Sequence, residues 1–205
     1  MSNSRFASHM RLWLVVSPVL LATLAPVLPD DRHFEIDAAE QASVESVFGE
    51  DQASDLASRA NDRFRAWFVD SGAIRHSYAG SANQTLVSDG GTAGIASHWM
   101  RHLWMELYRA IYRAAVAGNW LWGALFFMAA MLNDGAVQRR IRAAAAGVAS
   151  PVGFHLAAHG LLVTFGVSCS ALLMPMSLPA AVWTGAAVCI GALAWRLTAT
   201  FHSNR

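Results

Sequence analysis

The chain contains no lysine: all fifteen of its basic residues are arginine. Schiff-base chemistry and the phosphate-gripping lysine of a P-loop are therefore excluded. Cysteine is nearly absent. Cys169 and Cys189 each lie inside an apolar run, away from any Cys-x-x-Cys or Cys/His spacing that would grip zinc. Both read as small apolar fillers, and a disulfide between them would need their helices to touch at matching depth. Net charge is also scarce. Fifteen basic against fourteen acidic residues leave +1, which offers no polybasic surface for nucleic acid. Charged residues occupy only 14% of the 205 positions and hydrophobic ones 55%, with mean hydropathy +0.33, a balance that argues against an ordinary soluble domain.

The apolar residues gather into runs. A helix needs about 20 mostly apolar residues to cross a hydrocarbon core ~30 Å thick. Four stretches meet or approach that length: residues 12–28 (LWLVVSPVLLATLAPVL), 114–132 (AAVAGNWLWGALFFMAAML), 152–174 and 178–195. None contains a charged residue, which at a helix centre would cost about 2.5–3.5 kcal/mol. They are apolar all round, whereas a surface helix of a soluble protein carries a polar back. The first run has a rival reading as a cleavable signal peptide, with Arg5 and Arg11 as its basic start. Pro26 directly after Ala25 is a poor place to cut, so retention as an anchor is preferred. The expected fold is all-α: a polytopic membrane protein with four transmembrane helices and a small external helical hairpin.

Arginine near the span ends sets the orientation. With the N-terminus inside, the cytoplasm receives Arg5, Arg11, Arg139, Arg140, Arg142, Arg196 and Arg205, and the uncharged Pro175-Met176-Ser177 turn lies outside. Both termini are therefore expected to be cytoplasmic. Three parts follow: residues 1–29, a cytoplasmic tail and first span; residues 30–97, an acidic periplasmic helical segment and flexible linker; residues 98–205, an interfacial helix and three-span bundle with a basic cytoplasmic loop.

Residues 30–89 hold twelve acidic side chains against five arginines, near −7. Ile36, Ala39, Val44, Val47 and Phe48 recur at helical intervals, as do Leu56, Ala60, Phe64, Trp67 and Phe68, so two helices are expected to pair as a hairpin. Gly49 and Ser71-Gly72 punctuate their ends. From residue 72 to 97 the composition turns to Ser, Gly, Ala, Thr and Asn, which reads as a linker. Asn83-Gln84-Thr85 fits a glycosylation acceptor, relevant only in a eukaryotic secretory pathway. Residues 98–113 (HWMRHLWMELYRAIYR) predict a helix running into the second span. Trp99, Trp104, Tyr108 and Tyr112 with Arg109 and Arg113 read as an interfacial belt that contacts lipid head groups.

Between the second and third spans, Asp134 is expected to cap a helix carrying Arg139, Arg140 and Arg142, and Ser150-Pro151 to start the third span. This basic loop suits anionic lipid heads or a docking partner. His155 and His159 stand one helical turn apart, a spacing that can hold a metal. Leu156 replaces the glutamate of the zinc-protease pattern and no third ligand is near, so hydrogen bonding between helices is preferred and neither metal nor cofactor is expected. A hydrolase built on Asp134 and His155 would lack a second acid or a nucleophile, so no enzymatic activity is expected. Ala181 with Gly185, Ala187 with Gly191, and Gly166 with Ser170 allow close helix approach and are compatible with an oligomer.

LYRAIYR, LNDGAVQRRIR and SPVGFH together resemble an uncharacterised family of integral membrane proteins of integrating conjugative elements and conjugative plasmids. The matching positions are Asp134, Gly135, Arg139, Arg140, Ser150, Pro151 and His155. The resemblance implies a multi-pass protein of the bacterial inner membrane, associated with conjugative DNA transfer and type IV secretion, without catalytic residues to carry over. Its expected partners are membrane lipids and other conjugative-transfer membrane proteins, and nucleic acid is not expected among them. Asp134, Gly135, Arg139, Arg140, Arg142, Ser150 and His155 are the expected partner or lipid contacts. The leading expectation is an assembly or accessory subunit of the transfer apparatus. The alternative is an entry-exclusion or immunity-type membrane factor acting in the recipient.

Overall fold

A computed structural model of the chain describes residues 5–82, 92–145 and 151–201. Eight α-helices appear among them and no strand: α1 (Arg5–Arg11), α2 (Ser17–Leu24), α3 (Ala38–Phe48), α4 (Glu50–Phe64), α5 (Ala73–Ala82), α6 (Thr92–Ala144), α7 (Pro151–Ala171) and α8 (Ala181–Thr200). Ser150 and the Asn83-Gln84-Thr85 acceptor fall outside the described residues. Four helical stretches are long and apolar enough to cross a membrane: Phe6–Val27, Gly94–Ala144, Pro151–Ala171 and Ala181–Thr200.

The first of these is interrupted where its prolines require it. Pro18 has no N–H to give the carbonyl one turn back, and its ring crowds that carbonyl. Residues Leu12–Val16 widen into a π-helix just before it, and Ser17 donates its N–H to the Leu12 carbonyl. Pro26 then sits in the closing 3₁₀ turn, Ala25–Val27.

The chain divides into two compact units. One comprises residues 18–118 and 170–180. Its α3–α4 hairpin forms as the apolar spacing predicts. Asp37 caps α3 by accepting from the Ala39 N–H. Gly49, at φ +83°, ends α3 and begins α4, a left-handed conformation that glycine adopts without strain. Val44, Ala53, Leu56 and Ala60 are buried between the helices and their neighbours, whereas Val47 and Trp67 are exposed. After α4 the helix widens into a π segment, Arg65–Val69, and stops at Ser71-Gly72. The composition from residue 72 reads as linker, yet Ala73–Ala82 is helical. Trp104 explains part of that order, since its indole N–H donates to the Ser77 hydroxyl.

The other unit comprises residues 1–17, 119–169 and 181–205. It is packed through small residues. A side chain at Gly166 would come within 2.6 Å of the Trp13 Cβ and 2.9 Å of its carbonyl, so α7 meets the π segment backbone to backbone. A side chain at Gly191 on α8 would strike the Phe127 ring of α6, and one at Gly160 on α7 would crowd Leu193. Gly185, whose spacing suggests the same role, has nothing within 4 Å of the Cβ it lacks. Cys169 and Cys189 are free thiols, and Cys189 Sγ lies 3.6 Å from the Thr164 hydroxyl. His159 packs against the rings of Phe6 and His9, and its Nδ1 has no hydrogen-bond partner, in contrast to the expected helix-to-helix bond.

Three boundaries differ from the sequence expectation: the helix at Ala73–Ala82, the start of α6 at Thr92 inside the stretch read as linker to residue 97, and the end of the second apolar run. No new helix starts at Asp134: α6, 53 residues in all, runs on past the apolar run through Asp134 and the three arginines to Ala144. Asp134 is therefore no helix cap. A single glycine inside a helix costs only about 1 kcal/mol, and the Asp134 side chain has a partner elsewhere, so the helix runs on.

Candidate functional site

The ionisable residues His98, His102, Glu106, Arg109 and Arg113 recur along α6 at intervals of four, four, three and four, which places them in one stripe along a helix face. In a solvated helix such a stripe faces water. Here its central and C-terminal members face inward: His102 and Glu106 are 0% exposed, and Arg109 and Arg113 only 1%. The expected head-group contacts of Arg109, Tyr112 and Arg113 are thus corrected, since all three are buried inside their own unit. Trp99, Trp104 and Tyr108 are partly buried, and each has its polar tip engaged within that unit, with the Thr23 carbonyl, the Ser77 hydroxyl and Asn61 Oδ1 respectively.

What buries the stripe is the segment from Pro26 to Ser43 together with residues 171–180. At the C-terminal end Arg113 forms a forked pair with Glu40, Nε to Oε1 at 2.8 Å and Nη2 to Oε2 at 2.7 Å. Its Nη1 also donates to the carbonyls of Ala171 (2.9 Å) and Met174 (2.8 Å), and its Nη2 to that of Met176. Glu40 in turn accepts the Leu178 N–H at 3.1 Å, while Ser43 accepts that of Ala180 at 2.9 Å. One guanidinium therefore ties α3 to the last residue of α7 and the turn that follows it. A pair this dry is tolerable only because nearly every donor and lone pair is used, and removing one partner typically costs about 3–5 kcal/mol.

Midway, Arg109 donates to the His33 carbonyl and lies over the Phe34 ring, 5.8 Å from its centroid. Its Nε and Nη2, and both carboxylate oxygens of Glu106, have no hydrogen-bond partner. An apolar groove of about 660 Å³ lies in the same unit, walled by Phe34, Ile36, Phe64, Ile74, Trp104 and Tyr108.

At the N-terminal end, the 3₁₀ turn Asp31–His33, capped by Asp30, presents Asp31 to α6. His102 Nε2 lies 2.7 Å from Asp31 Oδ1 and its Nδ1 3.1 Å from the Pro26 carbonyl. Phe34 stacks on the His102 ring at 4.3 Å, and the exposed His98 ring stands edge-on to it at 4.1 Å. Arg101 donates to Asp31 Oδ2 at 2.5 Å. The hydrogen bond with His102, then the charge of Arg101, hold the Asp31 carboxyl below the usual carboxylate range against opposing desolvation. Asp31, His98 and His102 offer three ligand atoms within 4.8 Å of one another. The His98/His102 spacing is the same i, i+4 signal that draws attention to His155 and His159. Asp31, sixty-seven residues upstream of His98, carries no mark in the sequence.

In the other unit the expected contact residues divide. Asp134 accepts the Trp195 indole N–H at 2.7 Å, and Gly135 is buried so closely against Trp195 and Thr198 that a side chain there would strike both. Arg139 lies over the Phe201 ring at 5.8 Å, and Phe201 also meets Phe154 at 5.7 Å. Arg142 Nη1 reaches the Ala199 carbonyl at 3.5 Å, the outer limit of a hydrogen bond. The structure thus joins Asp134, Gly135, Arg139 and Arg142 to α8 and the residue after it, and leaves Arg140 and His155 exposed.

A family model described as "IncC plasmid conjugative DNA transfer protein DtrJ-like" matches residues 32–202, which hold Glu40, the α6 stripe and the Asp134 region. The chain belongs to the DtrJ-like family. Membership bears out the resemblance to a conjugative-element family and links the protein to conjugative DNA transfer. No curated protein and no solved structure matches the chain.

Proposed function

We propose that this DtrJ-like chain is a multi-pass subunit of the bacterial inner membrane that has no enzymatic activity and helps the conjugative transfer apparatus assemble or work. The observation that carries the reading is a conjugative-transfer family match on a chain with four helices of spanning length and apolarity. Large apolar side chains such as Trp122, Phe126, Leu156, Phe165 and Val188 stand exposed on those helices, as lipid-facing residues do. Both termini are assigned to the cytoplasm because that orientation keeps the Arg139, Arg140 and Arg142 cluster inside. Arg140, exposed beside engaged neighbours, is the member of that cluster best placed for a partner protein or an anionic lipid head.

Deletion in the donor, with mating frequency as the readout, tests this role. Transfer is expected to fall when the donor lacks the protein and to be unaffected by its absence from the recipient. Arg139→Glu with Arg140→Glu is expected to impair complementation while the product still pellets with membranes. Normal transfer from the deletion donor, an effect confined to the recipient, or full-length product left in the supernatant after detergent-free high-speed centrifugation would each overturn it.

A further inference from the structure

We propose that Asp31, His98 and His102 form a binding site for a divalent transition-metal ion, zinc(II) foremost, which staples the segment following the first apolar helix to α6. Two imidazoles one turn apart on a helix, with a carboxylate brought against them, make a donor set suited to zinc, copper, nickel or iron(II) rather than to calcium or magnesium. Ligands about 2.0–2.2 Å from a tetrahedral ion stand roughly 3.4 Å from one another. The three ligand atoms already lie within 4.8 Å, and His102 Nε2 and Asp31 Oδ1 within 2.7 Å. Rotation of the exposed His98 and a small retreat of Asp31 complete the geometry.

The outer shell is also in place. A ligating histidine normally donates its second ring N–H to a carbonyl or carboxylate, which fixes the tautomer and aims the ring. His102 Nδ1 faces the Pro26 carbonyl in that manner, Phe34 fixes the ring plane, and Arg101 orients Asp31 through its other oxygen. Both His102 nitrogens face acceptors, so the ring needs either a second proton or an ion on Nε2 to satisfy them. Three protein ligands leave a fourth position open to water. His98 borders a cavity of about 410 Å³, shared with Pro26, Pro29, Ile95 and Trp99, through which an ion and its water can enter. The proposal is independent of the role in conjugation.

The test uses the full-length chain, purified in detergent without a histidine tag, stripped with chelator and titrated with zinc chloride by calorimetry. Cobalt(II) serves as a spectroscopic probe of four-coordinate geometry. One saturable equivalent per chain is expected, together with a rise in Tm on adding zinc. His98→Ala and Asp31→Asn, both at accessible side chains, are expected to weaken binding more than about tenfold, at least the loss that outer-shell changes alone produce. These two positions are chosen over His102, whose replacement would also disturb the buried contacts of its ring. His76→Ala, at an exposed histidine elsewhere in the unit, is expected to bind as the parent does. Absence of a saturable equivalent, or His98→Ala binding as tightly as the parent, would overturn the proposal.

Discussion

Residues 98–113 and 119–144 belong to one helix, yet they are packed by opposite means. The first stretch buries charge: His102, Glu106, Arg109 and Arg113 are enclosed, and Arg113 alone makes five hydrogen bonds. The second fully buries no charged side chain and presents Leu121, Trp122, Leu125 and Phe126 outward, meeting its neighbours where Gly135 and Gly191 remove side chains. On the membrane reading proposed above, the difference follows from what each medium rewards. Where water is the alternative, apolar surface drives association and a buried ion pair fixes position. Where lipid is the alternative, apolar surface gains nothing by association, so close backbone approach has to hold helices together.

The sharpest way to break this comparison is Arg113→Ala. It leaves the buried Glu40 carboxylate without its cation and removes the donors to the carbonyls of Ala171, Met174 and Met176, and a loss of about 3–5 kcal/mol is expected, read as a lowered Tm in detergent and poor recovery. Arg140→Ala, at an exposed arginine of the same helix, should leave Tm unchanged. Equal Tm values for the two would remove the distinction between the stretches.

A smaller effect sharpens the other half. Gly135→Ala drives a methyl into Thr198 and the Trp195 carbonyl and is expected to cost about 1–3 kcal/mol, whereas Gly185→Ala, with open space around it, should be neutral. Thermal unfolding of the two variants side by side checks this, and equal Tm values would show that close approach at Gly135 contributes nothing. Smallest of all is Arg59→Ala on α4. Its pair with Asp55 is exposed on both sides and no resolvable change in Tm is expected. The hydrogen bond from Arg59 lowers the Asp55 pKa, so what the pair contributes is present at neutral pH and lost as pH falls through that depressed value.

The apolar helices and the α3–α4 hairpin are readable from the residues because hydropathy runs and helical spacing are local properties. Gly49 marks a boundary that only a left-handed residue could make, and it too is visible in advance. The Asp134 region misleads because aspartate ahead of a helical stretch reads as an N-cap. Here the carboxylate finds the Trp195 indole sixty-one residues away, and Gly135 provides the room for α8 to come that close. The α6 stripe is overlooked for a related reason. Aromatic residues at a helix entrance suggest lipid head groups, and arginines beside them suggest the same, until a carboxylate arrives from α3.

Composition and periodicity alone determined that the chain is helical, that four of its stretches are apolar enough to prefer lipid, and that its acidic charge gathers in one interval, because each depends on near neighbours in the chain. Tertiary structure decided which face of α6 is inside and which carboxylates meet which cations. A charge is buried or solvated according to what packs over it, and here the covering residues, Asp31 and Glu40, lie about seventy positions away from the arginines and histidines they meet.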